Sequence, residues 1–161
     1  MTIWVGCDHG GYEMKLALLK VLEDMNIAYT DVGGHSTEIV RYPYYAAQVA
    51  GAVARGEADR GLLICRTGIG MSVIANKYKG VRAALCFNRT MGQLTREHNN
   101  SNVLCLGGDI VSQEEAEAIL RVWLTTDYIA GRHEISLGLI AQAENQMMND
   151  DYWAEAEENY Q

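Results

Sequence analysis

The chain has 161 residues, 48% of them apolar and 21% charged, which suits one globular domain with a sizeable core and leaves little for a second. Its formal charge is −8, yet residues 1–132 hold 14 acids against 13 bases, and seven further acids (Glu134, Glu144, Asp150, Asp151, Glu155, Glu157, Glu158) follow with no base after Arg132. There is no basic face for nucleic acid, no apolar run long enough to span a bilayer, and no basic segment ahead of a cleavage site in the opening MTIWVGCDHGG, so the expectation is a cytoplasmic protein with neither a nucleic-acid nor a membrane partner.

In chain order, IWVGC reads as a short strand, and YEMKLALLKVLEDMN as a helix with Met14, Leu18, Leu19 and Leu22 on one side. AYTDVG is strand-like. YPYYAAQVAGAVARG is helical, opened by Pro43 and closed by Gly56. RGLLIC is a fully apolar strand, and GMSVIANKYKG starts a helix. VRAALCF is a strand, RTMGQLTREHN a helix and NVLCLGG the fifth strand. SQEEAEAILRVWLTT is a helix with Ser112 as N-cap and Glu115 three residues on, the spacing of a capping box. HEISLGLIAQAENQ is the last helix. Short apolar strands alternating with amphipathic helices predict a single Rossmann-like, three-layer α/β domain, a five-stranded parallel sheet with helices on both faces. The domain is expected over 1–146, with 147–161 (MMNDDYWAEAEENYQ) as an acidic tail, first a surface helix or loose end and only second, through Tyr152, Trp153 and Tyr160, a dock for a partner subunit.

In such sheets ligands sit beyond the carboxyl ends of the strands. The residues there are Asp8 and His9, Cys65 to Gly70, Phe87 and Asn88, and Gly107 to Asp109. In CRTGIGMS, Gly68 and Gly70 allow a tight turn that brings backbone N–H groups close to a ligand at the start of a helix. It is neither a Walker A loop nor GxGxxG. The four cysteines (Cys7, Cys65, Cys86, Cys105) lack metal-site spacing, and small buried apolar residue is the reading for Cys86, Cys105 and, less firmly, Cys7. Cys65 differs. A thiol at a strand end, beside Arg66 and a helix start, is expected to ionise readily and to serve as nucleophile or general base, with the turn's amides stabilising an oxyanion. Asp8 and His9 suit binding of sugar hydroxyls or proton movement, or equally a capping Asp beside an exposed His. His98, among Asn99, Asn100 and Asn102, stands at a helix end, where turn chemistry and surface histidines are also common.

Together, GCDHGGYEMK, the Tyr42-Pro43 pair, GEADRGLLIC, TGIGMS, ANK, GVRAALC, REHN and NVL resemble, in the same order, segments of the ribose-5-phosphate isomerase B family, which includes galactose-6-phosphate isomerase subunits; the likeness spans about residues 3–146. It implies an aldose–ketose isomerase working through an enediolate with neither metal nor cofactor. By this likeness Cys65 is the base that moves a proton between C2 and C1, and Thr67 orients it or a substrate hydroxyl. The amides of Gly68, Ile69, Gly70 and Met71, with Ser72 behind them, hold the enediolate oxygens. His98 opens the furanose ring, Asp8 holds the ring oxygen or a hydroxyl, and His9, Tyr42 and Asn99 contact the sugar substrate. The family is dimeric or tetrameric with its site completed by a second subunit, so a homodimer or tetramer is implied in which His98 and Arg132 act across the interface.

The departures gather at the acid group of the substrate. Asp109 stands where the family usually has an arginine, Ser136 replaces another, and Gln93 a third, while Arg132 and His133 are kept. Arg66 replaces a usual glycine beside the thiol, and Arg41 a usual acid before Tyr42. Cations are thus missing from one end of the expected site and added near the other. Asp109 is expected to repel a phosphate dianion. Three functions follow: isomerisation of a sugar phosphate, foremost ribose 5-phosphate, with Arg132 and His133 on the phosphate; a related isomerase for another sugar phosphate, an unphosphorylated sugar or a sugar acid, with Arg41 and Arg66 reading its hydroxyls or carboxylate; or a metabolite-binding regulator without catalysis.

Overall fold

The structure, a computed structural model, describes residues 1–146; the expected acidic tail, with its three aromatic residues, lies outside the described residues. The chain divides into two compact units, Met1–Ile129 and Ala130–Gln161.

The first unit alternates strand and helix: β1 (Thr2–Cys7), α1 (Tyr12–Asp24), β2 (Ala28–Gly33), α2 (Tyr42–Ala54), β3 (Arg60–Cys65), α3 (Ile69–Ala75), β4 (Ala83–Leu85), α4 (Arg89–Asn99), β5 (Val103–Gly107) and α5 (Gln113–Thr125). The five strands form one parallel sheet in the order β2-β1-β3-β5-β4. Leu18 and Leu22 of α1 and Ile119, Leu120 and Trp123 of α5 cover one face, against Ile3, Val5, Leu62, Ile64, Leu104 and Leu106. Val49 and Ala50 of α2 and Met71 and Ala75 of α3 cover the other, against Leu63, Val103 and Cys105. This is why β3 reads as a continuous apolar run: residues 61–65 are buried from both sides. The second unit's described element is α6 (Arg132–Gln146), reached through Ala130 and Gly131, both at positive φ (55° and 64°).

Two local expectations change in detail. The helix after β3 stops at Ala75 because the Asn76 side chain ends it: Nδ2 donates to Ser72 O (3.0 Å) and Ala83 O (2.9 Å), and Oδ1 accepts from Ala83 N (2.9 Å). At α5, Ser112 Oγ accepts from Glu115 N (3.2 Å), but the Glu115 carboxylate turns away and accepts from Arg89 N at the start of α4 (2.8 Å). The capping box is half formed, and its other half joins two helices.

Because all strands are parallel, every strand-to-helix loop lies at one edge of the sheet, the carboxyl edge. The order turns outward in opposite directions from β1 and β3, and in open α/β sheets the crevice at this switch point is where ligands bind.

Candidate active site

Three loops meet at this edge, after β1, β3 and β5, on adjacent strands. They pack closely through glycines. A Cβ on Gly11 would lie 2.5 Å from Ile64 O, and one on Gly108 would lie 2.8 Å from Gly10 O.

Cys65 ends β3 and is 5% exposed. Its Sγ accepts from Gly68 N at 3.1 Å. That contact needs Gly68 in the left-handed conformation, φ +75°, so that the chain turns back over the sulfur. Thr67 Oγ1 accepts from Ile69 N (3.3 Å), and Ser72 Oγ donates to Ile69 O (2.8 Å). So of the four amides expected to face a substrate oxyanion, those of Gly68 and Ile69 already have acceptors within the loop. The amides of Gly70 and Met71, in the first turn of α3, lack an intrahelical acceptor by position. The Tyr42 ring from the start of α2 lies on Gly70, with ring carbons 2.7 Å from where a Cβ would stand.

Asp8, 6% exposed, directs Oδ1 at the amides of Gly10 (2.8 Å) and Gly11 (3.2 Å) and so caps the single 3-10 turn His9–Gly11. The capping role is real, and it fixes the carboxylate at the crevice as well. His9 Nδ1 accepts from Val40 N (3.4 Å), which leaves the ring proton on Nε2 and ties the loop before α2 to the loop after β1.

His98 and Asn99 sit elsewhere. They end α4, and the chain then enters β5 at the amino edge of the sheet. In the β3–β5 ladder Gly61 pairs with Val103 and Cys65 with Gly107. Four residues of strand, about 13 Å, separate that edge from the thiol. Arg82 Nε holds the helix end there, donating to Asn99 O and Asn100 O (both 3.1 Å). Arg132 and His133 open α6 in the second unit.

The departures from the resembled pattern prove to be linked. Arg66 Nη1 and Asp109 Oδ2 are 2.9 Å apart. Sequence reasoning set these two at opposite ends of the site; the adjacency of β3 and β5 joins them. Asp109 is therefore one half of an ion pair and not an isolated repelling charge.

One structural residue escaped the sequence reading. Lys15 is fully buried, with Nζ 2.8 and 2.7 Å from the two Asp31 oxygens and 2.8 Å from Gly34 O. Gly34 N in turn donates to Cys7 O (2.8 Å), so this ion pair braces the end of β1, from which Asp8 projects. The signal was its place: Lys15 stands at helical spacing from Leu18, Leu19 and Leu22 on the apolar face. The other three thiols are core groups. Burial pushes Cys7 and Cys86 up to about 12, and Cys105 well above the ordinary value. Among the described residues no three of His, Cys, Asp and Glu gather as a metal ion would need, and no helix is long and apolar enough to cross a membrane.

The thiol, the capped carboxylate and the open amides gather where β1 and β3 meet on a doubly wound parallel sheet, and the chain belongs to the ribose/galactose isomerase family, whose model matches residues 3–140. Ribose-5-phosphate isomerase B of Escherichia coli is 45% identical over 129 residues, 80% of this chain and 87% of that protein. The solved ribose-5-phosphate isomerase B of Clostridium thermocellum superposes with a TM-score of 0.89 at 41% identity, covering 91% of this chain and 99% of its own. That of Mycoplasma genitalium, solved with bound ribulose-5-phosphate, gives 0.87 at 33% identity, covering 90% and 97%.

Proposed function

We propose that this chain is an aldose–ketose isomerase that interconverts ribose 5-phosphate and ribulose 5-phosphate through an enediolate. The observation that carries the reading is Cys65, with Sγ under the Gly68 amide at the crevice and the amides of Gly70 and Met71 in the same turn. The carbonyl of the open-chain aldose acidifies the proton on C2. Cys65 removes that proton and returns it to C1. Charge that develops on the substrate oxygens meets the open amides and Thr67. Asp8 holds a sugar oxygen, and His9 and Tyr42 flank the sugar.

Ring opening by His98 requires a second copy of the chain, since a chain's own His98 lies at the far edge of its sheet from its own thiol. A groove of about 270 Å³ beside Asn99, lined by Leu85, Met91 and Leu94 among others, offers an apolar surface for that copy. The protein acts as a homodimer or tetramer, with Asn99, Arg132 and His133 completing the substrate contacts. Four free, buried cysteines suit the reducing cytoplasm.

The test is a coupled assay on ribose 5-phosphate with the Cys65→Ala variant beside the parent. The expected result is a loss of about two orders of magnitude or more in turnover with the fold intact. Undiminished turnover in the variant removes the proposed base. Absence of hydrogen exchange at C2 in deuterated solvent, across a panel of aldoses, points instead to a binding protein.

A further inference from the structure

We propose that Arg66 reads the anionic end of the substrate and that Asp109 is the residue that positions it. This rests on the reading that the Cys65 crevice receives a phosphorylated sugar. Two backbone bonds lace the loops after β3 and β5, Gly108 N to Cys65 O (2.8 Å) and Asp109 N to Arg66 O (2.9 Å). These bonds set the two side chains beside each other, and Nη1 then meets Oδ2 at 2.9 Å. The stem of Arg66 is placed as well. A Cβ on Gly10 would lie 2.2 Å from Arg66 Cγ, so the stem lies across Gly10, on the loop that carries Asp8 and His9. Arg66 therefore spans the crevice edge from the loop after β1 to the loop after β5, one residue from the thiol.

A guanidinium has five N–H donors in a planar fork. Asp109 is the partner of Arg66 among the described residues, and it engages Nη1 alone. The side chain is 61% exposed, so the remaining donors face solvent at the mouth of the site. Such a fork suits the oxygens of a phosphate monoester. The pair carries no net charge at a distance, so long-range repulsion by Asp109 is cancelled. At contact range the sign is set by the group the substrate meets, and that group is the one lying over Gly10. Asp109 serves by holding an otherwise mobile side chain in place.

The two views of Asp109 predict opposite signs. Binding of ribose 5-phosphate is measured by calorimetry in the full chain carrying Cys65→Ala, where no turnover interferes, and KM and kcat are measured with Cys65 present. Arg66→Gln is expected to raise the dissociation constant and KM tenfold or more, with a much smaller change in kcat. Asp109→Asn is expected to raise both about threefold, Asp109→Glu to recover part of that, and Asp109→Asn to add nothing in the Arg66→Gln background. An unchanged dissociation constant in Arg66→Gln, tighter binding in Asp109→Asn, or an equal effect of Asp109→Asn with and without Arg66 would overturn the proposal. A Cys65→Ala chain that binds ribose 5-phosphate, beside a parent that does not turn it over, defeats the isomerase reading alone and leaves the role of Arg66 to the calorimetry.

Discussion

Gly68→Ala separates backbone strain from the geometry of the thiol. Gly68 sits at φ +75°, and an alanine there meets the general cost of the left-handed conformation, about 1–2 kcal/mol. Its Cβ would also lie 2.5 Å from Leu85 Cδ1, 2.9 Å from Leu106 C and 3.0 Å from Leu106 O. The leucine methyl can rotate away. The backbone of Leu106 cannot, since it pairs with Ile64 in the centre of the sheet. Relieving that overlap adds about 1–2 kcal/mol, for a total of about 2–4 kcal/mol. Gly80 is the control: it has φ +78° with nothing within 4 Å of its added Cβ. With a urea slope of about 2 kcal/mol/M, Gly68→Ala lowers the unfolding midpoint by about 1–2 M and Gly80→Ala by about 0.5–1 M. Both are measured at one protein concentration, because the midpoint of an assembling chain depends on it. The shift that relieves the overlap also moves Gly68 N off the sulfur, so kcat on ribose 5-phosphate falls about 10- to 100-fold in Gly68→Ala and stays near the parent value in Gly80→Ala. Equal midpoints and equal kcat in the two variants would refute the reasoning.

Lys15→Met leaves Asp31, part-exposed and still accepting from Gly33 N, without its cation and is expected to cost about 1–3 kcal/mol, read as a lower urea midpoint. Adding Asp31→Leu recovers most of that, and a single variant as stable as the parent counts against the brace. The buried thiols make stability fall at high pH. Cys7 and Cys86 are pushed from 9.0 up to about 12 in the fold, so between these values the unfolded chain loses thiol protons that the folded chain keeps. Their contribution is complete below about pH 9 and disappears as pH rises toward 12. Urea midpoints across that range should decline less steeply for Cys86→Ala than for the parent; parallel curves would show that this thiol does not contribute.

Much of the fold is legible in the order of residues because the information is local. A fully apolar run such as RGLLIC declares a strand covered on both faces, and helical spacing of Leu18, Leu19 and Leu22 declares the face of α1 that meets it. Once strands and helices alternate, chain order alone puts the residues after each strand at one edge, so Asp8, His9, Cys65 and Thr67 fall together without any knowledge of contacts. The same rule places His98, at the end of a helix, at the opposite edge.

Pairing between loops is a different matter, because it depends on which strands become neighbours. Nothing near Arg66 marks Asp109, 43 positions away, as its partner; the adjacency of β3 and β5 does. Likewise the charge of Lys15 is tolerated in the core only because β2 brings Asp31 beside it, and two of the four amides of the glycine turn are spoken for only once the turn closes over Cys65 and Thr67. Periodicity and chain order determined the elements and the edge at which Asp8, His9, Cys65 and Thr67 gather, since both follow from the backbone's own geometry. The tertiary structure decided which charges cancel and which donors stay open, since those depend on distances between segments that only the folded sheet brings within reach.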